Sequence, residues 1–357
     1  MSLKVDTGFI KKIKKYGAFD ISACFNCGNC TAVCSLSKED ASFPRKMIRL
    51  AQIGAEAEIS SSLEPWLCTY CGECSTTCPR QAYPGEFMMS LRRFLISKYD
   101  VTKISSFFYK FPFIQNILAL LVFIVSLGAF ISYHGDFAVL SQKIEVIFPF
   151  YISLALLSYI FIMYKRVIFD KYKKVLVSFK MKTILPTITQ ILKQIMFAGC
   201  TELDLWRGMA HVLVMSGYLL TLVISVFHIL EPLTIHYNWL SLQSFLVFYS
   251  TGAIVLGGLS MMARRTIKKS PSSMFSHSSD WLFVLTIFLI GFSLLITHLA
   301  NIVMGPQAHG VEMLYKINVA IEVAWILIIV PFTKWIHLFF RPIAIYLQHL
   351  KEERDLV

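Results

Sequence analysis

The sequence predicts an all-α protein in two parts, a cysteine-rich helical domain over residues 1–100 and a six-helix transmembrane bundle over residues 101–357. Three observations predict this fold class. Eight of the nine cysteines lie in the first part, where no run of alternating β-branched residues occurs. Hydrophobic residues make up 56% of the chain, above the roughly 45–50% of ordinary soluble domains. Six apolar stretches in the second part each reach the roughly 20 residues that a bilayer requires.

The eight cysteines form two runs with the spacing C-x-x-C-x-x-C-x-x-x-C. This spacing is typical of two [4Fe–4S] clusters, and in two-cluster ferredoxins the fourth cysteine of each run ligates the cluster of the other run. Zinc sites use separate C-x-x-C pairs instead, and disulfide frameworks belong to small exported domains. Pro79 follows the second run as in ferredoxins, whereas Ser35 follows the first. The predicted ligands are Cys24, Cys27, Cys30 and Cys78 for cluster 1, and Cys68, Cys71, Cys74 and Cys34 for cluster 2.

Two segments of the cysteine-rich domain have helical patterns. Residues 44–53 have a helical apolar period that begins at a proline and stops at Gly54, and residues 84–99 form an amphipathic helix leading towards the membrane. The segment before the cysteines is charged and has no apolar core, so no cleavable signal peptide is expected. The domain is therefore expected in the reducing cytoplasm, which suits iron–sulfur clusters.

The distribution of lysine and arginine predicts the orientation of the bundle. These residues concentrate in the loops 165–207 and 264–269, whereas the three loops on the opposite side contain only Lys143 and Lys316. By the positive-inside rule both termini are cytoplasmic, and the net charge of +12 reflects topology rather than nucleic-acid binding. Residues 184–197 are too short and polar to span, and we expect them along the membrane interface. The predicted spans are about 113–133, 146–168, 208–230, 243–263, 281–303 and 319–340.

Four histidines inside these spans form two pairs at matched depths. His211 and His337 lie near cytoplasmic span ends, whereas His228 and His298 lie near outer ends. Ionisable side chains within a bilayer are costly and usually functional, and two histidines from different helices can hold a haem iron from opposite faces. The pattern predicts two b haems, an inner one on the first pair and an outer one on the second. Hydrogen bonding between helices is the alternative for each histidine.

Two arginines accompany the inner pair. Arg207 precedes His211 by four residues and Arg341 follows His337 by four, so each arginine shares a helix face with its histidine. Both are predicted to bind haem propionates, for which the guanidinium fork is well suited. The outer pair has weaker geometry, because its 17-residue separation from the inner histidine on the same helix turns the side chain about 100° away.

The outer half of the bundle contains candidates for a quinone site. Quinol oxidation releases protons, and residues able to accept them are scarce inside apolar spans. His309, Glu312 and Lys316 lie together in an outer loop, for which an ordinary solvated connection is the alternative. His309 is also the substitute ligand if the outer haem pair fails. His277 and His349 are expected to be solvated.

Nucleotide-binding motifs are absent from the sequence. Neither G-x-G-x-x-G after a strand nor a P-loop occurs, so the sequence predicts no dinucleotide or ATP site. The ninth cysteine, Cys200, is predicted to be an inert thiol in a loop. Flavin or substrate chemistry is therefore expected on a separate partner protein.

Several segments resemble known redox proteins. The runs CFNCGNCTAVC and CTYCGECSTTCP, the EPWLC approach and the PGEFMMSLRRF helix resemble the C subunit of heterodisulfide reductase. The spans resemble the membrane cytochrome of that enzyme and the gamma subunit of respiratory nitrate reductase, and the segments RGMAH and VPFTKWIH look like the haem-ligating segments of the latter. The fusion of both modules is similar to the C-subunit family of the quinone-interacting membrane-bound oxidoreductase (Qmo) complex. Thr221 and Val319 stand where the nitrate reductase protein keeps its other histidine pair.

The resemblance implies electron exchange between menaquinone and cytoplasmic flavoprotein and iron–sulfur partners, the A and B subunits of the Qmo complex, which serve adenylylsulfate reductase in sulfate respiration. The residues themselves indicate only a path for electrons between membrane and cytoplasm. A fused cytochrome b and ferredoxin subunit of a heterodisulfide reductase-type complex is the close alternative. A membrane anchor or redox sensor without haem is the alternative from a different class.

Overall fold

The computed structural model describes residues 4–37, 42–163, 165, 181–197, 205–230, 242–269, 273–305 and 308–355, and every regular element in these ranges is helical. The all-α prediction is therefore confirmed for the described part of the chain. The N-terminal domain contains α1 (Phe9–Lys14), α2 (Asn29–Ala32), α3 (Arg45–Gln52), α4 (Glu56–Ser60), α5 (Glu64–Leu67), α6 (Glu73–Thr76) and α7 (Pro84–Tyr99), and the membrane part begins with α8 (Ile104–Lys110). The remaining helices are α9 (Pro112–Ile131), α10 (Phe137–Met163), α11 (Met181–Phe197), α12 (Leu205–Leu230), α13 (Leu242–Ile267), α14 (Ser278–Met304), α15 (His309–Ala324) and α16 (His337–Asp355).

The helix predicted over residues 44–53 is observed as α3. Its apolar period buries one face, which consists of Met47, Ile48 and Ala51. The predicted stop at Gly54 has a steric reason, because this residue has φ of +74° and a Cβ on it would lie 2.1 Å from the carbonyl oxygen of Asp6. The glycine thus ends α3 and lets the N-terminal segment pack against it.

α7 is the central helix of the N-terminal domain. Its bounds, Pro84–Tyr99, agree with the prediction, but it is buried on nearly every side rather than amphipathic. The reason is tertiary, because α1, α3 and α5 contact it within the domain while α8 and α10 contact it from the membrane part. Phe94 of α7 packs edge-on against the rings of Phe9 and Tyr16, at centroid distances of 5.3 and 5.6 Å.

The C-terminal helix α16 completes the core of the N-terminal domain. Phe340 lies 4.7 Å from Trp66 and 5.5 Å from Tyr99 between ring centroids. Ala344 and Leu347 belong to the same buried cluster. Aromatic contacts of this kind add to the free energy gained from apolar burial, so the two parts of the chain share one hydrophobic core.

Five helices are long and apolar enough to cross a membrane, and they agree with the first five predicted spans to within a few residues at most ends. They are α9, α10, α12 over Leu205–Ser225, α13 and α14. Close packing of α12 on α13 depends on glycine, because a Cβ on Gly257 would lie 3.0 Å from the carbonyl oxygen of Ala210. This composition and length indicate a membrane protein.

The sixth predicted span, 319–340, is not a continuous helix. α15 continues into a π turn at Trp325–Ile329, and the chain then bends by 78° before α16. Pro331 lies at this break and has no N–H to continue the helix, while Thr333 accepts a hydrogen bond from the Trp335 N–H and starts the next turn. The chain therefore leaves the bundle at Pro331, and α16 contacts α5 of the N-terminal domain.

α11 corresponds to the segment predicted to lie along the membrane interface. It is not among the helices that qualify as spans, and it packs against α12 and α16. The hydroxyl of Thr187 on α11 lies 3.0 Å from Nδ1 of His349 on α16. The expectation that His349 is solvated was therefore wrong, because this histidine joins two packed helices.

Candidate functional site

The two C-x-x-C-x-x-C segments form loops of the same backbone shape. We call residues 24–30 the first cysteine loop and residues 68–74 the second cysteine loop. In each, a glycine with left-handed φ, Gly28 at +97° and Gly72 at +93°, precedes a short helix that carries the third cysteine. Only glycine adopts this conformation without a steric cost. The two loops therefore turn at equivalent positions and place their third cysteines on equivalent short helices, as expected for two copies of one cluster-binding motif.

The first thiol of each loop accepts a backbone hydrogen bond. The N–H of Asn26 donates to Sγ of Cys24, and the N–H of Tyr70 donates to Sγ of Cys68, both at 3.4 Å. Asn26 and Tyr70 have positive φ, at 62° and 55°, which turns these N–H groups towards the sulfurs. Hydrogen bonds to cluster sulfurs stabilise their negative charge and tune the reduction potential.

The eight thiols fall into two electrostatic groups. Cys30 interacts with Cys24, Cys27 and Cys78, which are the other predicted ligands of cluster 1. Cys34 interacts electrostatically with Cys68 and Cys71. Cys74 interacts more strongly with Cys68, Cys71 and Cys34 than with Cys30. This grouping is what crossed ligation requires, and the ligand assignment stays a prediction that it supports.

Burial disfavours ionisation of these thiols in the absence of iron. It raises the pKa of Cys34 to about 11 and also raises the pKa of Cys74, Cys68 and Cys30. A bound metal reverses this effect, because its charge deprotonates a coordinating thiol. Within the described residues, no three Cys, His, Asp or Glu side chains are arranged to hold a single metal ion.

Two arginines hold the second cysteine loop in place. Arg92 of α7 donates from Nε to the Pro65 carbonyl at 2.6 Å and from Nη2 to the Cys68 carbonyl. Arg207 of α12 donates from Nη1 to the Tyr70 carbonyl at 2.7 Å and from Nη2 to the carbonyl of Thr69 at 2.8 Å. These bonds are charge-assisted and therefore stronger than neutral ones. The second cysteine loop is thus fixed to the helix that carries His211.

A cavity of about 460 Å³ lies between the N-terminal domain and the helical bundle. His211 of α12 and His337 at the start of α16 both line it, as do Arg207 and Arg341. The structure therefore brings together all four residues of the predicted inner haem site. They meet because α16 begins directly after the break at Pro331, which the sequence patterns had not predicted.

The ring of His337 is oriented by a backbone hydrogen bond. Its Nδ1 lies in hydrogen-bonding contact with the carbonyl oxygen of Lys334. A carbonyl only accepts, so Nδ1 carries the proton and Nε2 keeps its lone pair. Metal-ligating histidines are commonly held by such a bond. His337 is thus prepared to ligate a metal through Nε2.

Cations dominate the charged lining of the cavity. The basic residues that line it are Arg92, Arg93, Arg207, Arg264, Arg265, Lys334 and Arg341, against the acidic Glu86 and Asp280. Lys334 and Asp280 form an ion pair at 2.9 Å. The excess of positive charge favours an anionic occupant. Arg207 has its guanidinium engaged with two carbonyls of the second cysteine loop.

His277 also lines this cavity and is not solvated as expected. Its Nδ1 accepts a hydrogen bond from the Ser279 N–H at 3.2 Å, and its ring packs against that of Tyr109 at 6.2 Å. This bond caps the first turn of α14. Burial lowers the pKa of His277 to about 4, with Arg93 adding to the effect. His277 therefore belongs to the contact between the two parts of the chain.

The structure describes the side chain of only one of the two predicted outer haem ligands. His298 of α14 packs its ring against Phe248 at 6.3 Å. His228 lies in the last turn of α12, and its side chain lies outside the described residues, as does Cys200. The outer haem pair therefore stays a prediction.

The quinone candidates lie on a helix rather than in a loop. His309, Glu312 and Lys316 occupy the first two turns of α15. Glu312 and Lys316 form an ion pair at 2.8 Å, and the Lys316 ammonium lies 5.4 Å from the ring centroid of Phe137. The predicted loop was wrong because a helix can begin at His309 soon after Gly305, in a region that the sequence patterns had placed between two spans.

Two residues near the second cysteine loop escaped the sequence analysis. Glu86 is buried on α7 and accepts hydrogen bonds from the hydroxyls of Ser75 at 2.6 Å and Tyr70 at 3.3 Å. Burial raises the pKa of Glu86. The sequence signal was available, because Glu86 and Arg92 are charged residues within a helix that is otherwise almost entirely buried.

Comparisons with known proteins concern the N-terminal domain. Residues 20–82 match the family model described as a 4Fe–4S dicluster domain. A C-subunit-like protein of heterodisulfide reductase from Archaeoglobus profundus is 31% identical over 90 residues, which cover 25% of this chain and 48% of that protein. The C subunit of the H(2):CoB-CoM heterodisulfide,ferredoxin reductase of Methanothermobacter thermautotrophicus is 38% identical over 77 residues, covering 22% of this chain and 42% of that protein.

A third relative agrees with these two. The C subunit of the ferredoxin:CoB-CoM heterodisulfide reductase of Methanosarcina mazei is 32% identical over 87 residues, covering 24% of this chain and 53% of that protein. The matched region thus spans about half the length of the curated relatives, and no solved structure matches the chain significantly. The cysteine-rich part is therefore a 4Fe–4S dicluster domain similar to the C subunit of heterodisulfide reductase.

Proposed function

We propose that the chain is the membrane subunit of a respiratory redox complex that transfers electrons between menaquinone and cytoplasmic flavoprotein and iron–sulfur subunits through b haems and two [4Fe–4S] clusters. The partners correspond to the A and B subunits of a Qmo-type complex that serves adenylylsulfate reductase. The observation that carries the proposal is the cavity between the two parts of the chain, which His211 and His337 both line.

The cavity fits a b haem in size, charge and donor set. Its volume of about 460 Å³ lies within the roughly 300–1,000 Å³ of small-molecule and cofactor sites. Its cationic lining complements two propionates. Trp66 lines it as well, and the buried Nε1 of this indole has no hydrogen-bond partner within the described residues. An anionic group in the cavity is a suitable acceptor for such a donor.

The residues of the cavity have separate parts in this proposal. His211 and His337 would hold the haem, which supplies one-electron redox chemistry when bound. The Lys334 carbonyl keeps the proton on Nδ1 of His337 and fixes the ring. Arg341 would pair with a propionate. Arg207 holds the second cysteine loop against the same cavity, so that electrons have a short path out of the bundle.

The experiment is replacement of the inner histidines. His211→Ala and His337→Ala are each expected to abolish the same b-haem signal, measured by pyridine haemochrome and reduced-minus-oxidised spectra of the purified complex. His134→Ala, at an exposed histidine, is the matched control and should keep full haem content. Loss of two different haems, or of neither, contradicts the pairing.

The quinone site is proposed for the outer half of the bundle, near a second haem on His228 and His298. His309, Glu312 and Lys316 are the groups proposed to hydrogen-bond the quinone oxygens or accept protons. His309→Ala with Glu312→Gln should slow haem reduction by a menaquinol analogue about tenfold, with haem spectra unchanged. If the rates equal those of the unmodified protein, the outer site is contradicted and the inner cavity is favoured as the quinone site.

A heterodisulfide reductase-type complex is the second candidate, favoured by the three relatives named above, which are C subunits or C-like proteins of such enzymes. In that case a different lipophilic carrier and different partner subunits apply. The subunits that co-purify with the chain, identified by mass spectrometry, separate the two candidates. A membrane anchor or redox sensor is the third, and purified protein without b-type absorption bands favours it.

A further inference from the structure

The second cysteine loop faces the inner cavity. Thr69 and Tyr70, which directly follow Cys68, both line the cavity. Their carbonyls are the acceptors of the Arg207 guanidinium, and Cys68 itself is buried. Cluster 2, whose predicted ligands include Cys68, therefore lies next to the inner haem site. No predicted ligand of either cluster is itself among the lining residues, and the second cysteine loop reaches the cavity through Thr69 and Tyr70, whereas no residue of the first cysteine loop lines it.

The first cysteine loop is open to solvent. Cys27 is exposed, whereas no cysteine of the second cysteine loop is. Phe25 is 61% exposed and Val33 is 42% exposed. Both are large apolar side chains that are exposed within six residues of the exposed ligand Cys27 in the sequence. We call the surface formed by Phe25, Cys27 and Val33 the cluster 1 face.

Basic residues surround the cluster 1 face. The Arg80 guanidinium lies 6.0 Å from the ring centroid of Phe25. An open groove of about 600 Å³ adjoins the first cysteine loop at Asn26, and the other described residues that line it are Ser42, Arg45, Lys46, Arg49 and Leu50. Three of its lining residues are thus basic and none is acidic. The Arg45 guanidinium reaches the loop itself, since Nη1 lies 3.3 Å from the position of a Cβ on Gly28.

We infer that electrons pass from the inner cavity to cluster 2 and leave through cluster 1, whose exposed face docks a soluble redox protein with an acidic surface. The inference rests on the proposed function. An apolar centre with a charged rim is the usual anatomy of a protein interface, and charge complementarity sets orientation and association rate. One electron moves per event: cluster 1 is oxidised, the acceptor centre of the partner is reduced, and no bond is formed or broken.

The first test reverses the charge of the groove. Arg45→Glu with Arg49→Glu is compared with the matched control Lys268→Glu with Lys269→Glu, which has the same change in net charge at exposed positions after α13. The complexes are purified in detergent, and retention of the co-purifying soluble subunits is measured against salt concentration. The groove variant should bind them at least tenfold more weakly than the control. Equal retention overturns the docking site.

The second test uses two small oxidants of opposite charge, hexacyanoferrate(III) and hexaammineruthenium(III), on the dithionite-reduced chain without its partners. Their reoxidation rates are followed in a stopped-flow spectrometer. The groove variant should react several-fold more slowly with the anionic oxidant and faster with the cationic one, because electrons leave at the basic face. Equal changes in both variants overturn the exit through cluster 1.

Two readouts distinguish the possible failures. If b-haem spectra and the signals of both reduced clusters match those of the unmodified protein while partner retention does not change, the docking face is wrong and the electron path stands. If no haem is present, the proposed function fails instead. A loss of binding to vesicles with anionic lipids, with partner retention intact, identifies the basic groove as a membrane contact and also overturns the inference.

Discussion

The two cysteine loops have the same spacing and the same backbone shape but different surroundings. Gly28 and Gly72 occupy equivalent left-handed positions, and each loop points one N–H at its first sulfur. Arg92 and Arg207 hold the second cysteine loop at the edge of the inner cavity, whereas Cys27 of the first cysteine loop is exposed. The same motif therefore occurs in two environments, and its neighbours determine whether a loop lies against the cavity or against solvent.

The largest effect is expected from removing a cysteine that lies in one run and is predicted to ligate the cluster of the other run. Cys34→Ser should destroy cluster 2, because Cys34 interacts with Cys68 and Cys71 rather than with its own run. Electron paramagnetic resonance of the reduced protein should then show cluster 1 alone. Cys78→Ser is the matched control and should leave cluster 2. Loss of cluster 1 in Cys34→Ser and of cluster 2 in Cys78→Ser contradicts crossed ligation.

A smaller effect is expected from loosening the second cysteine loop. Arg207→Gln removes two charge-assisted hydrogen bonds to Thr69 and Tyr70, each worth about 1.5–3 kcal/mol. The midpoint potential of cluster 2 should fall, because a nearby positive charge stabilises the reduced cluster, while cluster 1 keeps its potential. A redox titration followed by electron paramagnetic resonance measures both. Equal shifts in the two clusters contradict the assignment of the second cysteine loop to cluster 2.

The smallest expected effect concerns the contact that holds the two parts together. The pKa of His277 is lowered from 6.5 to about 4 by burial, so its contribution to stability is complete above pH 6.5 and is lost as the pH falls towards 4. The change should be on the order of 2 kcal/mol. His277→Asn keeps an N-cap for α14 and removes the titrating group.

The His277 prediction is measured by thermal unfolding of the detergent-solubilised protein between pH 7.5 and pH 4.5. Between pH 7.5 and pH 4.5, the unfolding temperature of the variant should fall by less than that of the unmodified protein. His349→Asn, at a histidine whose partner Thr187 belongs to α11, is the control and should retain the original pH dependence. Parallel curves for His277→Asn and the unmodified protein contradict the role of His277.

Much of this molecule follows from local sequence patterns. The cysteine spacing specifies two [4Fe–4S] clusters because each cubane needs four thiolates at short intervals. The apolar stretches specify the five continuous span helices because length and composition suffice to cross a bilayer. The helix over residues 44–53 likewise follows from the periodicity of its apolar residues. His211 and His337 both line one cavity, as their matched depth predicted, and their pairing on a haem stays a prediction.

The contacts between these parts could not be predicted from local sequence patterns and are seen only in the tertiary structure. The chain bends by 78° between α15 and α16, and α16 packs against Trp66, so the second half of the predicted sixth span contacts the N-terminal domain. Arg207 binds the second cysteine loop, a contact that the sequence patterns did not predict. His277 becomes buried at the same contact. The physical reason is that long-range packing depends on which surfaces remain after each helix has formed, and no local period encodes the partner of a surface.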